Sequence, residues 1–161
     1  MEDFVEKSGS ENENPLQDWY KLFVELLFKY SLIMQLRSDS QLGPLAKKAI
    51  NDVFPNWDKC KCIMDSIAKQ RQTQLKEISN FNSEFYFMTK EKGTELLSLI
   101  YHLRNAIAHG NVAFDNSYVV IKDYVYNHET KRFNKTPTAY LKIKGENLKR
   151  FIQIILSQVV C

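Results

Sequence analysis

The chain changes its hydrophobic period at Gly110. Before that glycine, apolar residues recur every three or four positions; beyond it they alternate, then return to helical spacing near the C-terminus. A chain patterned in this way folds as helices joined to a small amount of sheet. Asn14 and Pro15 provide a helix start, a capping side chain followed by proline at the first helical position. From Leu16 to about Arg37, Trp19, Leu22, Phe23, Leu26, Tyr30, Ile33 and Met34 fall on one helical stripe. Lys21, Glu25 and Lys29 are spaced by four on another face, where they can pair. The break SDSQLGP precedes a shorter helix from Leu45 to Phe54, which Pro55 ends. Asn56 can cap a third helix, in which Cys60, Met64, Ile67, Arg71, Leu75 and Ile78 keep helical spacing to about Ser79.

The stretch FNSEFYFM fits either a short extended segment or the entry to the next helix. That helix begins between Thr89 and Thr94 and runs to Ala108 or His109, where Gly110 acts as a left-handed cap. Residues Tyr118 to Tyr126 are β-branched and aromatic, a strand signal. Asn127 to Thr130 reads as a turn, and Thr138 to Lys144 as the returning strand. Gly145 to Ser157 closes the chain with a helix whose stripe is Leu148, Phe151, Ile152 and Ile155. The expected fold is mainly α: a bundle of four to five helices with a β-hairpin, about 117–144, before the last one. Residues 1–14 are expected to be a flexible lead, and 15–161 a single domain, in keeping with the 161-residue length.

Composition excludes several classes. The acidic, polar N-terminal stretch lacks the order of a signal peptide, and the most apolar segment, Trp19 to Leu36, contains Lys21, Glu25 and Lys29. A cytoplasmic protein with no membrane partner is expected. Three cysteines are an odd number, which argues against a disulfide framework. Cys60 and Cys62 would stand about 200° apart on a helix, so they would not grip one metal ion; no metal or cofactor site is expected. Glycine-rich phosphate loops, paired catalytic carboxylates and HExxH are also absent. Charge is uneven: residues 81–161 carry eleven basic and seven acidic side chains, and Lys122 to Arg150 alone carries eight and three. A basic half fits either a phosphate-bearing partner or a solvated hairpin with lysines on its outer side.

Candidate chemistry concentrates in LIYHLRNAIAHGNV, Leu99 to Val112. Leu96, Ile100, Leu103 and Ile107 make the core stripe of that helix, and Arg104 and Asn105 leave it on either side. Asn105 and His109 are four apart and share a face, while Arg104 lies about 140° around from His109 but has a stem long enough to reach back. Leu97, Tyr101, Arg104 and Ala108 would form a face beside the stripe too apolar to be left wet, which suits a symmetric homodimer pairing the two helices. Ordinary roles also exist for each residue. Histidine is favourable at the negative end of a helix, glycine routinely caps one, and arginine can bond the last carbonyls.

The string LRNAIAHGN at the end of a long apolar helix resembles the signature of the HEPN superfamily: an arginine, a polar residue such as asparagine, and a histidine after four to six residues. Arg104, Asn105 and His109 match that order with the shortest gap. The hairpin and closing helix also resemble a plasmid-borne bacterial HEPN branch. The resemblance implies a metal-independent endoribonuclease of a toxin or anti-phage type, with RNA and a cognate antitoxin as partners and Arg104, Asn105 and His109 as catalytic residues. A catalytically silent module that binds RNA or a protein partner is the alternative. The residue types suit cleavage: histidine can accept the 2′-hydroxyl proton, and arginine offers a fixed bidentate cation to the crowded phosphate. The second proton donor is implied to come from a partner protomer. No tyrosine closely follows His109, so silencing by nucleotidylation of such a residue does not transfer.

Three further groups are candidates. His102, two turns before His109, either flanks the cleft or packs at an interface. His128 sits in a turn and is expected to be solvated. Lys131, Arg132 and Lys135, with Tyr140 and Lys142, mix charge and aromatic surface and could hold single-stranded RNA or simply decorate the hairpin.

Overall fold

The computed structural model describes residues 15–54, 61–63, 85–89, 93–133 and 135–159, with single positions at 73, 76 and 77. The lead 1–14, Cys60, Cys161 and most of the helix expected from Asn56 to Ser79 lie outside the described residues. In chain order the elements are α1 (Pro15–Met34), a single 3-10 turn (Asp39–Gln41), α2 (Pro44–Val53), β1 (Lys61–Ile63) and β2 (Phe85–Thr89). They continue with α3 (Glu95–Ala108), β3 (Val112–Asp115), β4 (Tyr118–Asp123), β5 (Tyr126–Asn127), β6 (Arg132–Phe133), β7 (Ala139–Lys144) and α4 (Gly145–Ser157).

The helices fall where their periodicity places them. On α1, Trp19, Leu22, Leu26 and Ile33 are buried, with Phe23, Tyr30 and Met34 packed against the core edge. Helix α1 contacts both α3 and α4, α2 packs on α4, and α3 and α4 both lie on the sheet. Phe54, just past α2, stacks on Phe85 of β2 at 4.6 Å and meets Phe151 of α4 edge-on at 5.0 Å, joining the two layers. No helix among the described residues is long and apolar enough to cross a membrane.

The strands depart from expectation. In place of an isolated hairpin, the structure has a five-stranded sheet in the order β1-β2-β7-β4-β3, with β1 and β2 parallel and the other pairs antiparallel. Only β5 and β6 form a separate two-stranded ribbon, at the hairpin tip. Three differences have physical causes. Strand β2 is buried at all five positions, so it shows no alternation to set it apart from a helix entry. Lys61–Ile63, expected within a helix, is held by pairing with Phe87–Thr89, a non-local contact that local spacing does not reveal. Strand β3 is unexpected; it turns into β4 through Asn116-Ser117, with Asn116 at φ +54°, a residue suited to that left-handed position.

Helix α3 receives its N-terminal cap from a distance. Asp39 lies 57 residues before Leu96, yet its carboxylate accepts the amide hydrogens of Leu96 (Oδ2, 3.0 Å) and Leu97 (Oδ1, 3.3 Å). These are donors that the first turn leaves unpaired, and a negative group there also complements the helix dipole. Asp39 N–H in turn donates to Gly93 O at 3.0 Å, fixing the loop before α3. Replacing Asp39 with Ala should cost about 1 kcal/mol in a urea titration, the size of a lost cap. Burial lifts the Asp39 carboxyl above its ordinary 3.8, against the lowering effect of the two amides. The folded state therefore holds this proton more tightly than the unfolded one. The associated stability is greatest below pH 3.8 and declines as pH rises through the lifted value. An Asp39→Asn variant should lack that decline, which parallel urea midpoints between acid and neutral pH would show.

Candidate functional site

The site is built on the C-terminal end of α3. The helix stops because Gly110 adopts φ +70°, a conformation costly for a side chain. Gly110 N–H then donates to Ile107 O at 3.1 Å, and Asn111 N–H to Ala106 O at 2.8 Å. His109, just inside the reversal, is held through its own N–H to Asn105 O at 2.9 Å and is exposed. Its backbone position is set by the cap, so its imidazole is left to solvent or a ligand.

One and a half turns earlier, Arg104 is half-buried against α1. Its guanidinium carbon lies 5.3 Å from the Tyr30 ring centroid, and Nη1 donates to Asn105 Oδ1 at 2.9 Å. Among the described residues no carboxylate lies within ion-pair distance of Arg104. Burial raises the Tyr30 hydroxyl above its ordinary value, an effect that Arg104 partly offsets and Tyr101 adds to. The phenol is thus a neutral platform for the cation. Asn105 and Tyr30 orient a guanidinium that no described acidic side chain neutralises, an arrangement suited to receiving an oxyanion. Helical periodicity marks Tyr30 only as a core-stripe residue and gives no sign of this role. Leu97, expected on the outer face with Tyr101, Arg104 and Ala108, is buried in the core instead. The apolar side of α3 is wider than the stripe, taking in Leu97, Leu99, His102 and Ala106.

His102 does not flank this site; it is buried between α3 and the sheet. Nδ1 lies 2.7 Å from Asp123 Oδ2 and Nε2 lies 2.7 Å from Met88 O. A carbonyl only accepts, so Nε2 carries a proton, and a second proton is shared between Nδ1 and the carboxylate. Thr138 donates both N–H and Oγ1 to the Asp123 carbonyl, at 2.7 and 3.1 Å. The motif helix is thereby tied to β2, β4 and the start of β7. Helical phase is the signal that marks this position: His102 lies between Leu99 and Ala106, and Asp123 continues the buried alternation Val119, Ile121.

The five basic and aromatic candidates divide into two groups. Lys131 and Arg132 are exposed at the β5–β6 tip, with Lys135 exposed just beyond it. Tyr140 and Lys142 lie on the sheet face opposite the helices. There Lys122 Nζ lies 5.7 Å from the Tyr140 ring centroid and Lys142 Nζ 5.6 Å from that of Tyr118. Tyr140 stacks on Tyr86 at 6.0 Å, and burial, with help from Tyr124 and Tyr140, pushes the Tyr86 hydroxyl up to about 12. His128 is exposed, edge-on to Tyr126 at 5.0 Å. Among the described residues no three His, Cys, Asp or Glu side chains gather as metal ligands.

The family described as HEPN pEK499 p136 matches residues 6–160, and the chain belongs to it. That membership points to a nuclease-like or RNA-related module. No curated protein and no solved structure matches the chain.

Removing His102 should be costly, because the Asp123 carboxylate would stay buried without its partner. His102→Leu is expected to destabilise by about 3–5 kcal/mol in denaturant unfolding, and His102→Leu combined with Asp123→Leu by clearly less. A loss in the double variant equal to the sum of the His102→Leu and Asp123→Leu losses would mean that the two side chains are not coupled.

Proposed function

We propose that the chain is a homodimeric, metal-independent endoribonuclease whose reacting groups are Arg104 and His109. The observation that carries this reading is a guanidinium that no acidic side chain among the described residues neutralises, oriented by Asn105 and Tyr30 within two turns of an exposed histidine. In this reading His109 accepts the proton of a ribose 2′-hydroxyl as the 2′-oxygen bonds to phosphorus. Arg104 binds the non-bridging oxygens as charge builds on them. The bond to the 5′-oxygen breaks, leaving a 2′,3′-cyclic phosphate and a 5′-hydroxyl. The leaving oxygen takes its proton from the histidine of a second copy, since one protomer offers a single histidine at this helix end.

An apolar surface supports the second copy. Phe28 is 82% and Tyr20 70% exposed on α1, and Leu27 shares their side of the helix. These side chains lie on α1, the helix that also carries Tyr30, and in this reading a two-fold partner covers them. In the cell, this reading makes the protein a cytoplasmic toxin or anti-phage effector restrained by a cognate antitoxin.

Incubation with total RNA in the presence of chelator is expected to give fragments ending in cyclic phosphate. His109→Ala should abolish cleavage, by about 10²-fold or more, with melting temperature and RNA affinity nearly unchanged. Arg104→Ala should also stop cleavage and weaken binding, because the guanidinium holds a phosphate as well as stabilising its charge. Asn105→Ala should slow the reaction less. A His109→Ala protein that cuts at the parental rate would end the assignment, while RNA bound but never cut by the parent would make the chain a binding module. Sedimentation should give a dimer at tens of micromolar and a monomer for Phe28→Asp; a parental monomer at that concentration would rule out the composite site.

A further inference from the structure

The sheet face turned away from α3 and α4 is a built surface rather than an incidental one. Residues of one parity, Val119, Ile121 and Asp123 on β4 and Ala139, Leu141 and Ile143 on β7, are buried under the helices. The other parity places Tyr118, Val120 and Lys122 on β4 opposite Lys144, Lys142 and Tyr140 on β7. Three lysines and two tyrosines thus occupy five of these six positions on two adjacent strands, with Val120 at the sixth. Each tyrosine carries a lysine near its ring, Lys122 over Tyr140 and Lys142 over Tyr118. Among the described residues the one carboxylate of matching parity is Asp115, at the far edge strand opposite Tyr118. Lys144 and Tyr118 are exposed, and Lys122, Val120, Tyr140 and Lys142 are half-buried.

The face is continuous with the candidate site through the backbone. Lys122 N–H donates to Asn111 O at 3.1 Å, so the row of Lys122 and Tyr140 begins two residues beyond His109. The opposite row, Tyr118 and Lys144, lies four residues along β4 at the other end of the same face.

We propose that Lys122, Tyr140, Lys142, Tyr118 and Lys144 form a binding face for single-stranded RNA, which leads the strand to the end of α3. The choice of RNA rests on the ribonuclease reading above; the single-stranded form follows from the surface itself. Lysines spaced along two strands match a line of phosphates, and tyrosine rings offer stacking surfaces to unpaired bases, which a duplex keeps inside its stack. A lysine lying over a tyrosine ring can move to a phosphate while a base takes its place. An acidic peptide would match the lysines but leave the rings unused.

The test is binding of a fluorescent oligouridylate about 12 nucleotides long, within the span that single-strand binding surfaces cover, to the full-length protein carrying His109→Ala, so that no cleavage interferes. In that background, Lys122→Gln with Lys142→Gln and Lys144→Gln should weaken binding by about tenfold or more. The same change should flatten the dependence of log affinity on log salt by about 0.7 for each phosphate that the protein no longer neutralises. Tyr140→Leu should weaken binding with little change of that slope. Replacing Lys131, Arg132 and Lys135 by Gln should cost less than the sheet-face change. Parental affinity and slope in the folded sheet-face variant would overturn the proposal, as would equal binding of a duplex of the same length. Photocrosslinking of 4-thiouridine oligomers to the unsubstituted protein reads the same face without a variant. Adducts on Tyr118 or Tyr140 support it, and adducts confined to α1 and α3 overturn it. Because binding alone is read, a protein that never cleaves RNA can still pass this test, and an active nuclease can fail it.

Discussion

Beneath the motif helix, a histidine and an aspartate share a proton where water does not reach. His102 and Asp123 are nearly sealed from solvent, and the remaining ring nitrogen is bonded to the Met88 carbonyl of a third element. A buried charge pair gains little net stability over a well-packed apolar pair, but it is demanding about geometry. Both ring nitrogens have one acceptor each, so rotation of α3 about its axis or sliding along it would break two hydrogen bonds at once. The position of Arg104, half a turn further along, is inherited from that constraint. The sheet is therefore not an appendage to a helical bundle; it is the base against which the motif helix is registered.

The two ends of α3 are treated differently. Its N-terminus is tied by a carboxylate from a distant turn, which takes up two donors of the first turn. Its C-terminus is closed by backbone bonds through Gly110 and Asn111, so no side chain is committed to the cap. That arrangement leaves the His109 side chain uncommitted at an exposed end of the helix.

How much of this is legible in the sequence differs by element. The four described helices are legible because each buries one stripe of its surface, and a stripe has a period. Gly110 and the RN-x3-H spacing are legible for a local reason, being fixed by the conformation of one residue and the turn of one helix. The sheet is half legible. The pair β4 and β7 alternates and can be read, whereas β2 is covered on both faces and β1 is fixed only by its partner. The pairings of His102 with Asp123 and of Arg104 with Tyr30 span 21 and 74 positions, and no local pattern marks which distant residue answers which. Parity alone separates Lys122 from Asp123, one on the sheet face away from α3 and the other in the core.

The backbone closure of α3 has an evolutionary side. Because the reversal after His109 depends on Gly110 and main-chain atoms, no hydrogen bond that closes the helix uses the histidine's side chain. Arg104 likewise has, among the described residues, no acidic partner whose burial would be stranded by its loss. Selection on the fold and selection on the chemistry thus act on separate codons. Under the proposed ribonuclease reading, a lineage built on this frame can exchange a reactive helix end for an inert one in a single step and keep the same architecture.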